Sequence, residues 1–231
     1  MAGIASRVAA GGTTGALHTV AVTAMRWLTE ETFEIRFERP DPFDYLPGQK
    51  ISLVDGAHRR DYTLLGPVET DELALCVRLV ANGRFSPRLA RASIGDRFRI
   101  TAPFGYFTFK ASPRPAVFVA TGTGIAPFVA YARAGTNGFD LLHGGRTASA
   151  LYYREILAGS ARSYIPCISG AYRRESLPGT FAGRVDQYLM TVFPEGVYDF
   201  YLCGLSEMIR DVTRVIDLRF PDSRLFMEAF D

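Results

Sequence analysis

Lysine is almost missing: of the 26 basic residues in this 231-residue chain, only Lys50 and Lys110 are lysines. Arginine therefore carries the positive charge, and its planar fork suits bidentate grip on phosphates, although a genome-wide compositional bias produces the same pattern. Cysteine is scarce as well. Cys76, Cys167 and Cys203 are far apart and form no CxxC pair, which excludes iron–sulfur and zinc spacings and points to a reducing cytoplasm. No apolar run reaches the roughly 18 residues that a membrane helix needs, so no span is expected. A formal charge of +2 is too small to indicate a nucleic-acid partner. Residues 1–16, rich in Ala, Gly and Thr, lack the continuous apolar core of a secretory signal and read as a flexible N-terminal arm.

What is present is ordinary for a globular protein, with 48% apolar and 22% charged residues, and the length accommodates two domains of roughly 100 residues each. Apolar and polar residues alternate over 18–28 and 32–38, as in Phe33-Glu34-Ile35-Arg36-Phe37, the signature of a half-buried strand. Short strands are also predicted at 50–54, 60–64, 73–80 and 96–100, with one helical segment at 86–92. Six short strands with turn residues between them predict an antiparallel β-barrel over 17–112. The polar, proline-bearing segment 110–115 then reads as a domain connector. Beyond it, apolar runs at 116–120, 139–143, 163–168, 199–203 and 224–228 alternate with helical patterns. That alternation predicts a doubly wound parallel sheet of five strands over 113–231.

Three stretches carry candidate chemistry. Thr121-Gly122-Thr123-Gly124-Ile125-Ala126-Pro127 joins the first parallel strand to a helix. Its glycines permit close approach of a ligand to the backbone, and a helix N-terminus favours phosphate, although a plain strand-to-helix turn looks alike. In Arg60-Asp61-Tyr62-Thr63, strand alternation puts Arg60 and Tyr62 on one face, where a guanidinium and a phenol can grip a phosphate and cover a planar ring. Gly83-Arg84-Phe85-Ser86 is a second glycine turn leading into a helix, with a hydroxyl at hand.

Together with Gly144-Gly145-Arg146, Cys203-Gly204 followed by Met208, and the terminal Glu228-Ala229-Phe230-Asp231, these motifs occur in the order found in the ferredoxin–NADP reductase superfamily. Over about residues 17–231 the chain resembles a stand-alone flavoprotein of that family. The resemblance implies FAD in the barrel, with Arg60 on the flavin phosphate, Tyr62 on the isoalloxazine and Thr63 near its N5. It implies that Gly83, Arg84, Phe85 and Ser86 receive the pyrophosphate. Thr121, Gly122, Thr123 and Gly124 would hold the nicotinamide nucleotide, with Arg146 on its phosphate or ribose. Cys203 and Gly204 would sit where nicotinamide meets flavin, Cys203 shaping hydride transfer. Glu228 would relay a proton or orient the cysteine, and Phe230 would stack near the flavin. Leu205-Ser206 departs from the pair that many relatives carry after Cys-Gly, and Asp231 follows Phe230 where some relatives end in an aromatic.

A 2′-phosphate calls for arginine near the end of the third parallel strand. Ser169 is followed there by Gly170, and Arg173 and Arg174 lie a little beyond, so NADP(H) is the expected nucleotide with NAD(H) as the alternative. The implied activity is hydride transfer from NAD(P)H to FAD. Electrons then pass to a separate one-electron carrier such as ferredoxin, flavodoxin or an oxygenase component, since the chain has no cysteine cluster of its own. Reduction of free flavin, quinone or oxygen is one alternative, and a non-catalytic nucleotide-binding module is another.

Overall fold

A computed structural model describes residues 17–170 and 179–230. The N-terminal arm and the expected phosphate ligands Arg173 and Arg174 lie outside the described residues.

The first sheet contains β1 (His18–Trp27), β2 (Thr32–Glu38), β3 (Lys50–Asp55), β4 (His58–Thr63), β5 (Glu72–Arg78) and β6 (Arg97–Ile100), in the spatial order β4-β3-β6-β1-β2-β5. All its pairings are antiparallel. The two end strands meet just past β4, where Leu64 bridges Leu75 and the Leu65 amide donates to the Ala74 carbonyl at 2.9 Å, closing the sheet into a barrel. Alternate residues turn inward, as the period-2 pattern requires, so Phe33, Ile35 and Phe37 of β2 face Ile51, Leu53, Leu73, Leu75 and Phe98 in one core. The helix α1 (Ser86–Ala90) ends two residues earlier than its pattern suggests, as the chain turns towards Gly95, whose φ is +93°.

The second sheet contains β7 (Ala116–Thr121), β8 (Asp140–Gly145), β9 (Ser163–Ile168), β10 (Phe181–Ala182), β11 (Asp199–Gly204) and β12 (Arg224–Ala229), all parallel, in the order β10-β9-β8-β7-β11-β12. This corrects the expected five strands to six. The added edge strand β10 has only two residues and owes its identity to pairing with Cys167 and Ile168, so it has no periodicity of its own to detect. Helices α2 (Ala126–Arg133) and α3 (Arg154–Ser160) cover one face, and α4 (Val185–Thr191) and α5 (Ser206–Arg219) cover the other. Between β8 and β9 the chain forms a 3₁₀ turn at Ala148–Ala150 and then α3, the two separated at Tyr153, whose φ is +58°.

The order of strands reverses between β7 and β11, and in open sheets of this kind ligands bind at the carboxyl ends of the strands flanking that reversal. The barrel packs over this end. Phe107 and Phe109, which precede the 110–115 connector, enter an aromatic cluster with Phe118 of β7, Phe128 and Tyr131 of α2 and Tyr201 of β11. Phe118 and Phe128 are fully buried, and burial of such a side chain stabilises by about 1.5–3 kcal/mol. Tyr131 donates to the Phe107 carbonyl at 2.6 Å, and the Arg133 guanidinium donates to Gly66 at 2.8 Å. The two halves are therefore joined by packing as well as by the chain.

Candidate functional site

A cleft of about 840 Å³ runs between the barrel and the carboxyl ends of β7 and β11, within the size range of ligand sites. Its first wall is β4. Register fixes which side chains share a face: Ile51 pairs with Tyr62 and Leu53 with Arg60, whereas Lys50 pairs with Thr63 and Ser52 with Asp61. Arg60 is exposed to the cleft and its guanidinium makes no ion pair among the described residues. Tyr62 rests on the barrel core with its phenol pushed up to about 12 by burial, against the pull of Arg60. The Thr63 hydroxyl is buried without a hydrogen-bond partner.

The segment Gly83, Arg84, Phe85 and Ser86 continues this wall. Much of it is used locally. The Gly83 amide donates to the Val80 carbonyl at 2.8 Å, the Val80 amide donates to the Ser86 hydroxyl at 3.0 Å, and Arg84 reaches Asp55 at 3.3 Å. A Cβ at Gly83 would lie 3.0 Å from the Val80 oxygen, so glycine keeps the turn tight. Phe85 packs into the barrel core.

The opposite wall is the turn after β7. Thr121, Gly122, Thr123 and Gly124 all line the cleft. Gly122 has φ +56°, and nothing stands within 4 Å of where its Cβ would be, so the backbone conformation itself selects glycine and leaves the surface open to a ligand. Gly124 is chosen for a different reason. Its Cβ would lie 2.4 Å from the Cys203 carbonyl oxygen and 2.5 Å from the Gly204 Cα, so only glycine lets the two strand-end turns touch. The Thr121 hydroxyl, like that of Thr63, is buried with no hydrogen-bond partner.

The third wall is the end of β12. Cys203 pairs with Glu228 and Gly204 with Ala229, and the Phe230 amide donates to the Gly204 carbonyl at 2.8 Å, setting Ala229 and Phe230 into the lining. Cys203 is completely buried behind that lining. Burial, and then the neighbouring Glu228 carboxyl, push its thiol well up, which leaves it protonated and unsuited to nucleophilic attack. Glu228 is also raised by burial, with Lys50 pulling it down and Asp61 pushing it up. The Thr63 hydroxyl acts on this carboxyl without a well-formed hydrogen bond.

The fold thus gathers Arg60, Tyr62, Thr63, the 83–86 turn, the 121–124 turn and Phe230 around one cleft, with Cys203, Gly204 and Glu228 directly behind it. Arg146 is not brought there; it is exposed past β8, its carbonyl accepting from the Gly170 amide at 3.1 Å. Sequence reasoning missed Lys50 and Asp61, which stand beside Glu228, and Cys76, Arg78 and Val80, which line the cleft. For Lys50 a signal existed in its rarity, since lysine occurs twice in an arginine-rich chain. For Cys76 the signal was hidden, because inward and outward apolar faces of β5 look alike until a second domain covers one of them.

Among the described residues no group of three or more His, Cys, Asp or Glu side chains is arranged to hold a metal ion, and no helix is long and apolar enough to cross a membrane. The family model of the oxidoreductase FAD-binding domain matches residues 20–109, and that of the oxidoreductase NAD-binding domain matches residues 118–214. The electron transfer component of anthranilate 1,2-dioxygenase from Acinetobacter baylyi is 28% identical, over 90% of this chain and 66% of that protein. The electron transfer component of toluate 1,2-dioxygenase from Pseudomonas putida is also 28% identical, over 86% and 63%. The chain spans about two-thirds or less of the length of these relatives, down to 51% for a Deinococcus radiodurans flavohemoprotein. An Amycolatopsis cytochrome P450 reductase superposes with a TM-score of 0.78 at 27% identity, covering 97% of this chain and 73% of that one. A Neisseria gonorrhoeae ferredoxin NADP+ reductase, with bound FAD and NADP, shares the fold at a TM-score of 0.77 and 20% identity, covering 92% and 98%.

Proposed function

The chain belongs to the ferredoxin–NADP reductase superfamily of flavoprotein oxidoreductases, and from that premise we propose that it moves hydride from NAD(P)H to FAD and passes the electrons to a separate carrier. The observation that carries this reading is one cleft bounded on one side by β4 and on the other by the strand ends where the parallel sheet reverses. The residues present fit the two cofactors. Thr63 and Thr121 offer buried hydroxyls with no partner of their own, Arg60 offers a guanidinium free of ion pairs among the described residues, and Gly122 leaves its backbone uncovered.

In this reading residues 17–112 hold FAD and residues 113–231 hold the nucleotide. Arg60 takes the flavin phosphate, Tyr62 covers the ring system, Thr63 hydrogen-bonds at its reactive edge, and the backbone of 83–86 receives the pyrophosphate. Bound flavin supplies acceptance of a hydride and release of its electrons one at a time. The chain's own residues supply position and dryness. The turn at 121–124 orients the nucleotide, Cys203 backs the reacting region as a neutral thiol, and Phe230 excludes water from the cleft. NADP(H) is the favoured nucleotide, on the arginines beyond β9, and Arg146 is a candidate contact. Relatives described as electron transfer or reductase components of oxygenases support a ferredoxin, flavodoxin or oxygenase component as acceptor. Three buried, unpaired cysteines suit a reducing cytoplasm.

Anaerobic mixing of the flavin-loaded protein with NADPH or NADH tests the reading. Bleaching of the yellow cofactor, followed by its return when a one-electron carrier is added, is the expected result. A protein that retains no flavin after reconstitution, or whose flavin neither nucleotide bleaches, overturns it. Return of colour with quinone or oxygen alone would reassign the acceptor.

A further inference from the structure

Lys50 is used in a way that neither the barrel nor the cleft requires. Its ammonium stands 3.2 Å from Glu228 Oε1 and 3.6 Å from Asp61 Oδ2, so one side chain joins β3, β4 and β12. Among the described residues Lys50–Glu228 is the one ion pair between the barrel and the parallel sheet. The lysine is well held. Lys50 and Phe104 exchange both backbone hydrogen bonds at 2.9 Å, the Phe104 ring lies 5.5 Å from the ammonium, and the stem runs beside Gly105, where a Cβ would be 3.6 Å from Lys50 Cγ. Asp61 is fixed from its other side by the Ser52 hydroxyl, which donates to it at 2.7 Å.

On the far side, Glu228 has little other support. Its second oxygen, Oε2, is buried with no hydrogen-bond partner, and only 12% of the side chain is exposed. The residues that follow it, Ala229 and Phe230, line the cleft, and Cys203 is its paired neighbour on β11. We propose that Lys50 is a positioning residue that ties the C-terminal strand to the barrel, holding the Glu228 side chain beside Thr63 and Cys203 and so setting Ala229 and Phe230 at the cleft wall. This rests on the proposed hydride-transfer function for its catalytic consequence, though not for the tie itself.

The charged and titratable groups facing Glu228 give the expected sign. Lys50 favours its ionised form and Asp61 opposes it, while Cys203 and Tyr131 face it as neutral groups raised by burial. Removing the lysine leaves a buried carboxyl beside Asp61, so the proton on Glu228 is lost at a higher pH than in the unaltered protein.

The experiment compares the unaltered protein with Lys50→Met, Lys50→Arg, Glu228→Gln and the Lys50→Met/Glu228→Gln double variant. Carbon-13 labelling of glutamate carboxyls, with Glu228→Gln identifying the signal, follows the titration of Glu228 directly. Its midpoint is expected to rise in Lys50→Met and to return towards the original in Lys50→Arg. Flavin reduction at saturating nucleotide is expected to slow about tenfold in Lys50→Met, as for a displaced reacting geometry, to recover in Lys50→Arg, and to be no slower in the double variant than in the slower single one. An unmoved midpoint, or effects of the two single changes that simply multiply, overturns the proposal. If the unaltered protein takes no hydride at all, the proposed function fails, and the titration still decides whether Lys50 holds Glu228.

Discussion

Arg60 and Cys203 play different physical parts around the same cleft, and substitutions separate them. The Arg60 side chain lines the cleft and its guanidinium has no ion pair among the described residues, so Arg60→Ala removes the proposed flavin-phosphate contact without stranding a buried partner. A charge-assisted hydrogen bond contributes about 1.5–3 kcal/mol, so flavin is expected to be released roughly 10- to 100-fold more readily, with little change in unfolding midpoint. Equilibrium dialysis of the FAD-loaded variant measures this. Cys203→Ala keeps a small buried group in place of a thiol that is protonated throughout the working pH range. Flavin is expected to stay bound while its reduction slows about tenfold or more through altered positioning. An unchanged rate in stopped-flow mixing would remove Cys203 from the site.

At the scale of elements, the two glycines of the turn after β7 are expected to fail in different ways. Gly122→Ala meets no atom within 4 Å and carries only the cost of a positive φ, about 1–2 kcal/mol. Gly124→Ala drives a methyl group into the backbone of Cys203 and Gly204, neither of which can yield as a flexible side chain would. The second variant is therefore expected to unfold at the lower temperature and to lose more nucleotide affinity, which thermal scans with and without NADPH would record. The last strand also has its own anchor. Arg224 donates to both oxygens of Asp199 at 2.7 and 2.5 Å, fixing the start of β12 on β11. That hydrogen bonding, acting against burial, holds the Asp199 carboxyl below its ordinary range. A depressed carboxyl stabilises the fold above its unfolded value, near pH 4, and that stability is lost as pH falls through the folded value. Asp199→Asn is expected to lose stability at pH 6 and to show a flatter acid limb when urea midpoints at pH 6 and pH 3 are compared.

At the scale of the molecule, His58, Arg59, Arg60, Arg78 and Arg84 stand together along the barrel side of the cleft, although the chain as a whole carries a charge of only +2. An acidic carrier approaching that side would be steered by the local field, and ions in solution screen such a field within about 8–10 Å. Carrier reduction is therefore expected to slow as salt rises from low to physiological strength while flavin reduction by nucleotide changes little. Equal salt sensitivity of both steps would remove the basic side from carrier recognition. Much of this architecture is legible in the chain itself. Alternation over residues 32–38 and the apolar run at 116–120 are local patterns, because the inward side chains of a barrel strand recur every second residue and a central parallel strand is buried on both faces. The turn at 121–124 is legible too, since a positive φ at Gly122 is a demand that one residue meets alone. Other features arise only from packing. The strand β10 exists because Cys167 and Ile168 offer it an edge, and Gly124 is needed because β11 ends against it. Lys50 meets Glu228 across 178 positions of sequence, and only the closure of the barrel over the parallel sheet brings the two charges to 3.2 Å. Periodicity and backbone preference act between neighbours in the chain and so belong to the sequence. Charge pairing, burial and close approach act between neighbours in space, and the tertiary structure decided those.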